Sequence, residues 1–218
     1  SQAARHLSQA LRFATVSQQD PGSMDPVAFS AFEDFLRDAY PQVHASLEKT
    51  VINGHALVFH WPGRDAARRV LLTAHYDVVP ADSDGWPHPP FSGQIEDGKV
   101  YGRGSFDDKS SLIAMLEAAT ALLAEGFVPP CGVYFAFGFD EEVGGAQGAR
   151  QIAAYFESQG LSFDFVLDEG GAVADGAMMG IDRPVAVIGV AEKGNTSFSL
   201  SFEGEGGHSS TPPDSTAV

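Results

Sequence analysis

The chain has 218 residues, 44% of them apolar and 19% charged, the balance of a water-soluble globular protein long enough for a substantial α/β core. Twenty-nine acidic residues against 13 basic ones give a formal charge of −16, which excludes nucleic acid as a partner because neutralising phosphates needs clustered Lys and Arg. The single cysteine, Cys131, excludes an internal disulfide and a thiolate zinc site, and no apolar run reaches the ~18 residues of a membrane span.

The opening SQAARHLSQ has neither a signal-peptide core nor an initiator Met, so the compartment stays open between cytoplasm and export. Leu7, Leu11 and Ala14 predict a helix over 3–13. A second is expected over 26–40, started by Asp25 or Ser23, with Phe29, Phe32, Phe35 and Leu36 on its apolar side. Residues 56–61 read as a strand. Residues 70–79 form an apolar run interrupted by His75, Tyr76 and Asp77, the pattern of a buried strand with a polar end. The Pro- and Gly-rich stretch 80–98 reads as loop. Asp107 and Asp108 lead into a helix with Leu112, Met115, Leu116, Ala119 and Leu122 on one face, stopped at Gly126. Strands follow over 133–139, 163–167 and 185–190, a helix over 144–158, and an alternating strand over 197–202.

Strands alternating with helices predict an α/β fold: a mainly parallel sheet sandwiched by helices, with ligands bound beyond the carboxyl ends of the strands. Three apolar runs end in ionisable residues: His75 and Asp77, Asp140 to Glu142, and Asp168 with Glu169. Asp107 and Asp108 precede a helix, so all four clusters are expected at one sheet edge. The composition changes after Val190, which divides the chain into a first domain over 1–190 and the start of a second over 191–218.

Each cluster alone also has an ordinary explanation. His75-Tyr76-Asp77 fits a solvated strand end, Asp108 a helix N-terminal residue, Asp140-Glu141-Glu142 an acidic first turn, and His208 an exposed loop histidine. The chemical reading is that residues i and i+2 of a strand share a face, so Asp77 can set the tautomer of His75 as a metal ligand. Adjacent Asp107 and Asp108 repel, so a cation or Lys109 must balance them. Glu141 and Glu142 point in different directions, which lets one bind metal while the other acts as general base.

Six stretches in this order, AHYDVVP, WPHPPFSG, GKVYGRGSFDDKSSLIAMLEA, FDEEVGGAQGA, VLDEGG and GGHSSTPP, resemble the M20 family of zinc peptidases and deacylases. The likeness runs from about Leu71 onward, reaches back in weaker form to the RFATVS segment, and is greatest to the Gly-X carboxypeptidase and N-acyl-amino-acid hydrolase branch. It implies a zinc-peptidase catalytic domain followed by the start of an α+β lid and dimerisation domain. Position by position, it implies that His75 binds the first metal, Asp77 orients it, and Asp107 bridges both metals before a cis peptide to Asp108. Glu141 becomes the general base, Glu142 a second-metal ligand, and either Asp168 or Glu169 the remaining first-metal carboxylate. His208 would reach a partner subunit's active site and polarise the scissile carbonyl.

The implied cofactors are two zinc ions, with cobalt or manganese as substitutes. The implied reaction is hydrolysis of an amide in a small peptide or N-acyl amino acid, by a homodimer joined through the lid. The family's last ligand is a downstream histidine, so these residues alone are expected to hold one metal tightly, to be inactive, and to expose apolar surface. A two-metal phosphoesterase and an inactive metal-binding module are the rival readings; the lack of a basic cluster near the motifs speaks against the first. With no G-x-S-x-G elbow present, a serine mechanism has no support.

Overall fold

The computed structural model of the protein describes residues 1–191, 194, 196 and 198–201. Its contacts form two units, Ser1–Glu169 and Gly170–Val218. Among the described residues no helix is long and apolar enough to cross a membrane.

The first unit opens with three helices: α1 (Gln2–Ala10), α2 (Pro26–Ala39) and α3 (Pro41–Ser46). Asp25 starts α2 by accepting the Val27 N–H at 3.0 Å, and Pro26 follows at a position that needs no donor. Strands β1 (Glu48–Ile52) and β2 (Ala56–Trp61) form a hairpin around Asn53 and Gly54, both at positive φ. Next come β3 (Asp65–His75) and a small hairpin of β4 (Gln94–Glu96) with β5 (Lys99–Tyr101). Then follow α4 (Lys109–Ala124), β6 (Cys131–Gly138), α5 (Ala149–Ser158) and β7 (Phe165–Leu167).

The central sheet has five strands in the order β1-β2-β6-β3-β7. β3 is parallel to β6 and β7, whereas β2 is antiparallel to both β1 and β6. Four strands therefore run one way and β2 alone runs back. Alternate residues of β6 face opposite sides. Tyr134 meets Phe156 of α5 at a ring distance of 5.8 Å, and Phe135 lines a groove with Met115, Ala118 and Ala119 of α4. The sheet is thus covered on both faces, as the α/β expectation requires. On the α4 side Phe29, Phe32, Leu36, Phe59, Leu112, Leu116 and Phe137 are fully or almost fully buried. Each such side chain contributes about 1.5–3 kcal/mol by leaving water.

Several expected boundaries shift for physical reasons. β3 starts at Asp65, five residues before the apolar run, because its polar 65–69 stretch pairs by backbone with Cys131 and Gly132 across a bulge. It ends at His75, so Tyr76 to Val79 lie beyond the strand. The helix expected over 144–158 begins at Ala149. Gly144 and Gly145 take positive φ, and the Asp140 carboxylate accepts the N–H groups of Gln147 and Gly148. The 80–98 loop contains β4, made possible by an Asp97-Gly98 turn.

In the second unit β8 (Ala172–Ala174) pairs antiparallel with β9 (Val185–Val187). Asp175 caps the short turn between them by accepting the Ala177 N–H at 3.0 Å. The strand expected over 185–190 is confined to β9. Residues 198–201 carry no strand, contrary to the alternation seen in their sequence; residues 197 and 202 lie outside the described residues. His208 also lies outside them.

Candidate active site

The site forms where β3, β6 and β7 end. His75 is the last residue of β3 and pairs in register with Gly138, the last of β6, so the segments that leave the two strands start side by side. β7 lies on the other edge of β3 and delivers Asp168 and Glu169 to the same end.

Asp77 organises two of these segments. Its carboxylate is fully buried and lies 3.2 Å from His75 Nδ1. One oxygen accepts the Glu141 N–H at 3.0 Å and the other the Glu142 N–H at 3.1 Å. The Asp77 carbonyl also faces His75 Nδ1 at 3.1 Å. With Nδ1 directed at Asp77, Nε2 is the nitrogen presented to the cleft.

Three carboxylates surround that nitrogen. Asp107 Oδ1 is 2.9 Å away, Glu169 Oε1 3.3 Å and Glu141 Oε2 3.7 Å. Asp107 arrives on a tight loop that only glycine can make at Gly104. The φ there is +85°, and a Cβ would come within 2.9 Å of a Val78 methyl group. The Asp107–Asp108 peptide is cis. Asp108 sits at the start of α4, is buried and makes no capping bond; among the described residues its Oδ2 has no hydrogen-bond partner.

The two carboxyls after β7 part ways. Asp168 turns back toward the sheet, accepting the Thr73 hydroxyl and the Glu169 N–H. Glu169 alone joins the imidazole. Glu142 stands outside this group, although its backbone is tied to Asp77 and Asp107 is the main charge repelling its carboxylate.

Burial alone would lower the His75 pKa, but Asp77, then Glu169 and Glu141, override it and raise it to about 10. Burial, joined by the charges of Asp108, Asp107 and Glu141, pushes Glu169 up to about 7 against the pull of His75. Burial also raises Glu141, Glu142 and Asp108. Asp77 moves the other way: burial would raise it, yet its bonds to His75 and the backbone keep it ionised. Such a cluster is short of positive charge, and a divalent cation would supply it. The donor set fits one, since the ligand atoms of His75, Asp107 and Glu169 all lie within 4.8 Å of one another.

Lys109 does not balance Asp107 and Asp108 as one reading of the sequence had it. Its ammonium is buried and donates to the carbonyls of Phe13 at 2.7 Å and Ala10 at 3.2 Å. Sequence reasoning also passed over Thr73, the residue that holds Asp168. Its position two before His75 on the same strand face was the available signal.

A profile of Peptidase family M20/M25/M40 matches residues 71–216, the span that holds these clusters. "Probable carboxypeptidase S-like 2" of Dictyostelium discoideum is 41% identical over 221 residues, which cover 99% of this chain and 43% of the relative. The "N-fatty-acyl-amino acid synthase/hydrolase PM20D1" of Xenopus tropicalis is 40% identical over 215 residues, 97% of this chain and 42% of the relative. The chain thus spans less than half the length of these relatives. In fold it is similar to the M20 family metallo-carboxypeptidase Sso-CP2 of Sulfolobus solfataricus, with a TM-score of 0.63 and 24% identity over 79% of this chain and 38% of that one. The profile and the two relatives, matching the part of the chain that gathers its acids around His75, make it a member of Peptidase family M20/M25/M40.

Proposed function

We propose that the protein hydrolyses an amide bond in a small peptide or an N-acyl amino acid, with two zinc ions and Glu141 as general base. The observation that carries this reading is the convergence of His75, Asp107 and Glu169, with Glu141 Oε2 3.7 Å from the same imidazole nitrogen. The names of the carboxypeptidase S-like and N-fatty-acyl-amino acid relatives support the substrate class.

His75, Asp107 and Glu169 would hold the first ion; Asp107 and Glu142 would serve the second. Bound zinc would supply Lewis-acid polarisation of a carbonyl and a lowered pKa for water, and cobalt or manganese suits the same oxygen-rich donors. Asp77 keeps the ring of His75 in place with Nε2 facing outward. The Glu141 side chain is 53% exposed, against 3% for His75, so it lies on the open side where substrate arrives. There its carboxylate takes the proton of the attacking water and returns it to the leaving nitrogen. Asp168 holds Glu169 through its N–H. In the same reading the catalytic domain extends over 1–190, 191–218 begins a lid that joins two subunits, and His208 polarises the carbonyl in the partner's site.

Zinc titration of the intact protein, with hydrolysis of an N-acyl amino acid, a dipeptide and a phosphate monoester compared, tests the proposal. Expected are up to two zinc equivalents and an amide hydrolysis lost with chelator and restored by zinc. Cleavage of the phosphate ester alone would favour a two-metal phosphoesterase, and zinc uptake without any hydrolysis a metal-binding module.

A further inference from the structure

Lysine is almost never fully buried without a charged partner. The side chain of Lys109 is buried, and among the described residues its ammonium bonds only to two backbone carbonyls, with the Phe32 ring centre 5.0 Å away. Those carbonyls, of Ala10 and Phe13, lie where α1 gives way to an extended strap. The strap continues to Ser17 and pairs with the chain just past His75. Val16 and Val78 form a parallel bridge, and the Val78 N–H donates to the Thr15 carbonyl at 2.9 Å. The Ser17 N–H donates to the Val78 carbonyl at 3.3 Å, and the Thr15 hydroxyl donates to the Tyr76 carbonyl.

On the side away from the cleft, Tyr76 is pinned as well. Its hydroxyl donates to the His55 carbonyl at 2.6 Å, and its ring stacks at 4.9 Å on Phe32, the same ring that has the Lys109 Nζ 5.0 Å from its centre. The backbone of 76–78 is therefore held by the strap, and the strap by Lys109. Because Lys109 is also the first residue of α4, one ammonium ties the segment after His75 to the segment that carries Asp107.

We infer that Lys109 is a positioning residue of the metal centre. Through the 10–17 strap it fixes Asp77, and through Asp77 both the His75 ring and the amides of Glu141 and Glu142. This rests on the metal-centre reading above. The strap lies outside the 71–216 span matched by the family profile.

The test compares Lys109→Met with Phe156→Leu in the intact protein. Phe156→Leu is a core change on the opposite face of the sheet, and the two are read at equal loss of thermal stability. Two quantities are measured: zinc affinity, and hydrogen-exchange protection of the Val78, Glu141 and Glu142 amides without metal. Lys109→Met should weaken zinc binding by about tenfold to a hundredfold and release those three amides, while the control retains both. Wild-type affinity and protection in Lys109→Met, or equal losses in the control, would overturn the inference. If Lys109→Met does not fold, Thr15→Val carries the test, since it removes only the bond to Tyr76. A loss of about fivefold in affinity with faster exchange at Val78 is expected, and unchanged exchange overturns the idea. If the wild-type protein takes up no zinc, the metal reading falls by itself. The amide pattern then still decides whether Lys109 sets the 76–78 and 141–142 segments.

Discussion

The first unit has two unlike ends. Where β3, β6 and β7 finish, charged side chains crowd together, and Asp77, Asp107 and Asp168 are tied by bonds to neighbouring segments. On the α4 side of the sheet, near the start of β6, an open groove of about 380 Å³ is lined by Trp61, Leu72, Met115, Leu122, Phe127 and Phe135. Its lining is almost wholly apolar, and the three residues of β7 are more than half exposed. A polar cluster needs particular partners, because each buried charge left unpaired costs several kcal/mol. An apolar groove needs only volume and exclusion of water. Substitutions at the first end should therefore be read in chemistry, and at the second in stability.

The largest effect is expected for Glu141→Ala in the intact protein. Turnover should fall by about 10²–10⁴-fold or more while zinc content stays near wild type. Near-normal kcat would end its assignment as the base and weaken the contrast between the two ends.

Next in size is the pair that follows β7. Glu169→Ala should cost more than about a hundredfold in affinity for the first zinc. Asp168→Ala, which only frees Thr73 and the Glu169 N–H, should cost about tenfold or less. The reverse order in a competition titration would exchange their roles.

The groove gives the third measurement. Phe127→Ala removes an aromatic side chain of a residue 41% exposed, whose ring meets Trp61 edge-on. It should lower the unfolding free energy by about 1 kcal/mol in urea and leave zinc affinity unchanged. A clear loss of zinc affinity would show that the two ends are coupled.

The smallest effect concerns pH. Burial pushes the pKa of His44 down, and the charges of Lys49 and Arg37 push it further. A group depressed in the fold binds its proton more tightly in the unfolded chain. The stability it contributes is thus present above the unfolded value of about 6.5 and lost as pH falls below it. Between pH 7.5 and 5.5 the wild type should lose more stability than His44→Phe. Equal losses in urea midpoints would remove His44 from the account.

Apolar periodicity showed most of the core elements directly, because burial imposes period 2 on strands and 3.6 on helices. It placed α2, β2 and α4 to within a residue or two. It missed β1 and the β4–β5 hairpin, whose strands are short and largely exposed, although Asn53-Gly54 and Asp97-Gly98 are recognisable hairpin turns. It overran at residues 144–148, where the chain spends two glycines on a turn before α5 starts.

The sequence by itself determined the inventory of the site: one histidine with an acid two residues on, the Asp pair before a helix, and acids after two strands. Local chemistry suffices for that, since a polar residue at the end of an apolar strand has few places to go. Only the tertiary structure decided between neighbours. Asp168 and Glu169 differ because Thr73, on the adjacent strand β3, offers a hydroxyl to one and not the other. Lys109 serves α1 rather than Asp107 because the carbonyls of Ala10 and Phe13 arrive from nearly a hundred residues away. The two amides bound by Asp77 come from the end of β6, more than 60 residues further along the chain. No spacing within one segment encodes such contacts, because they exist only once β3 has paired with β6 and β7.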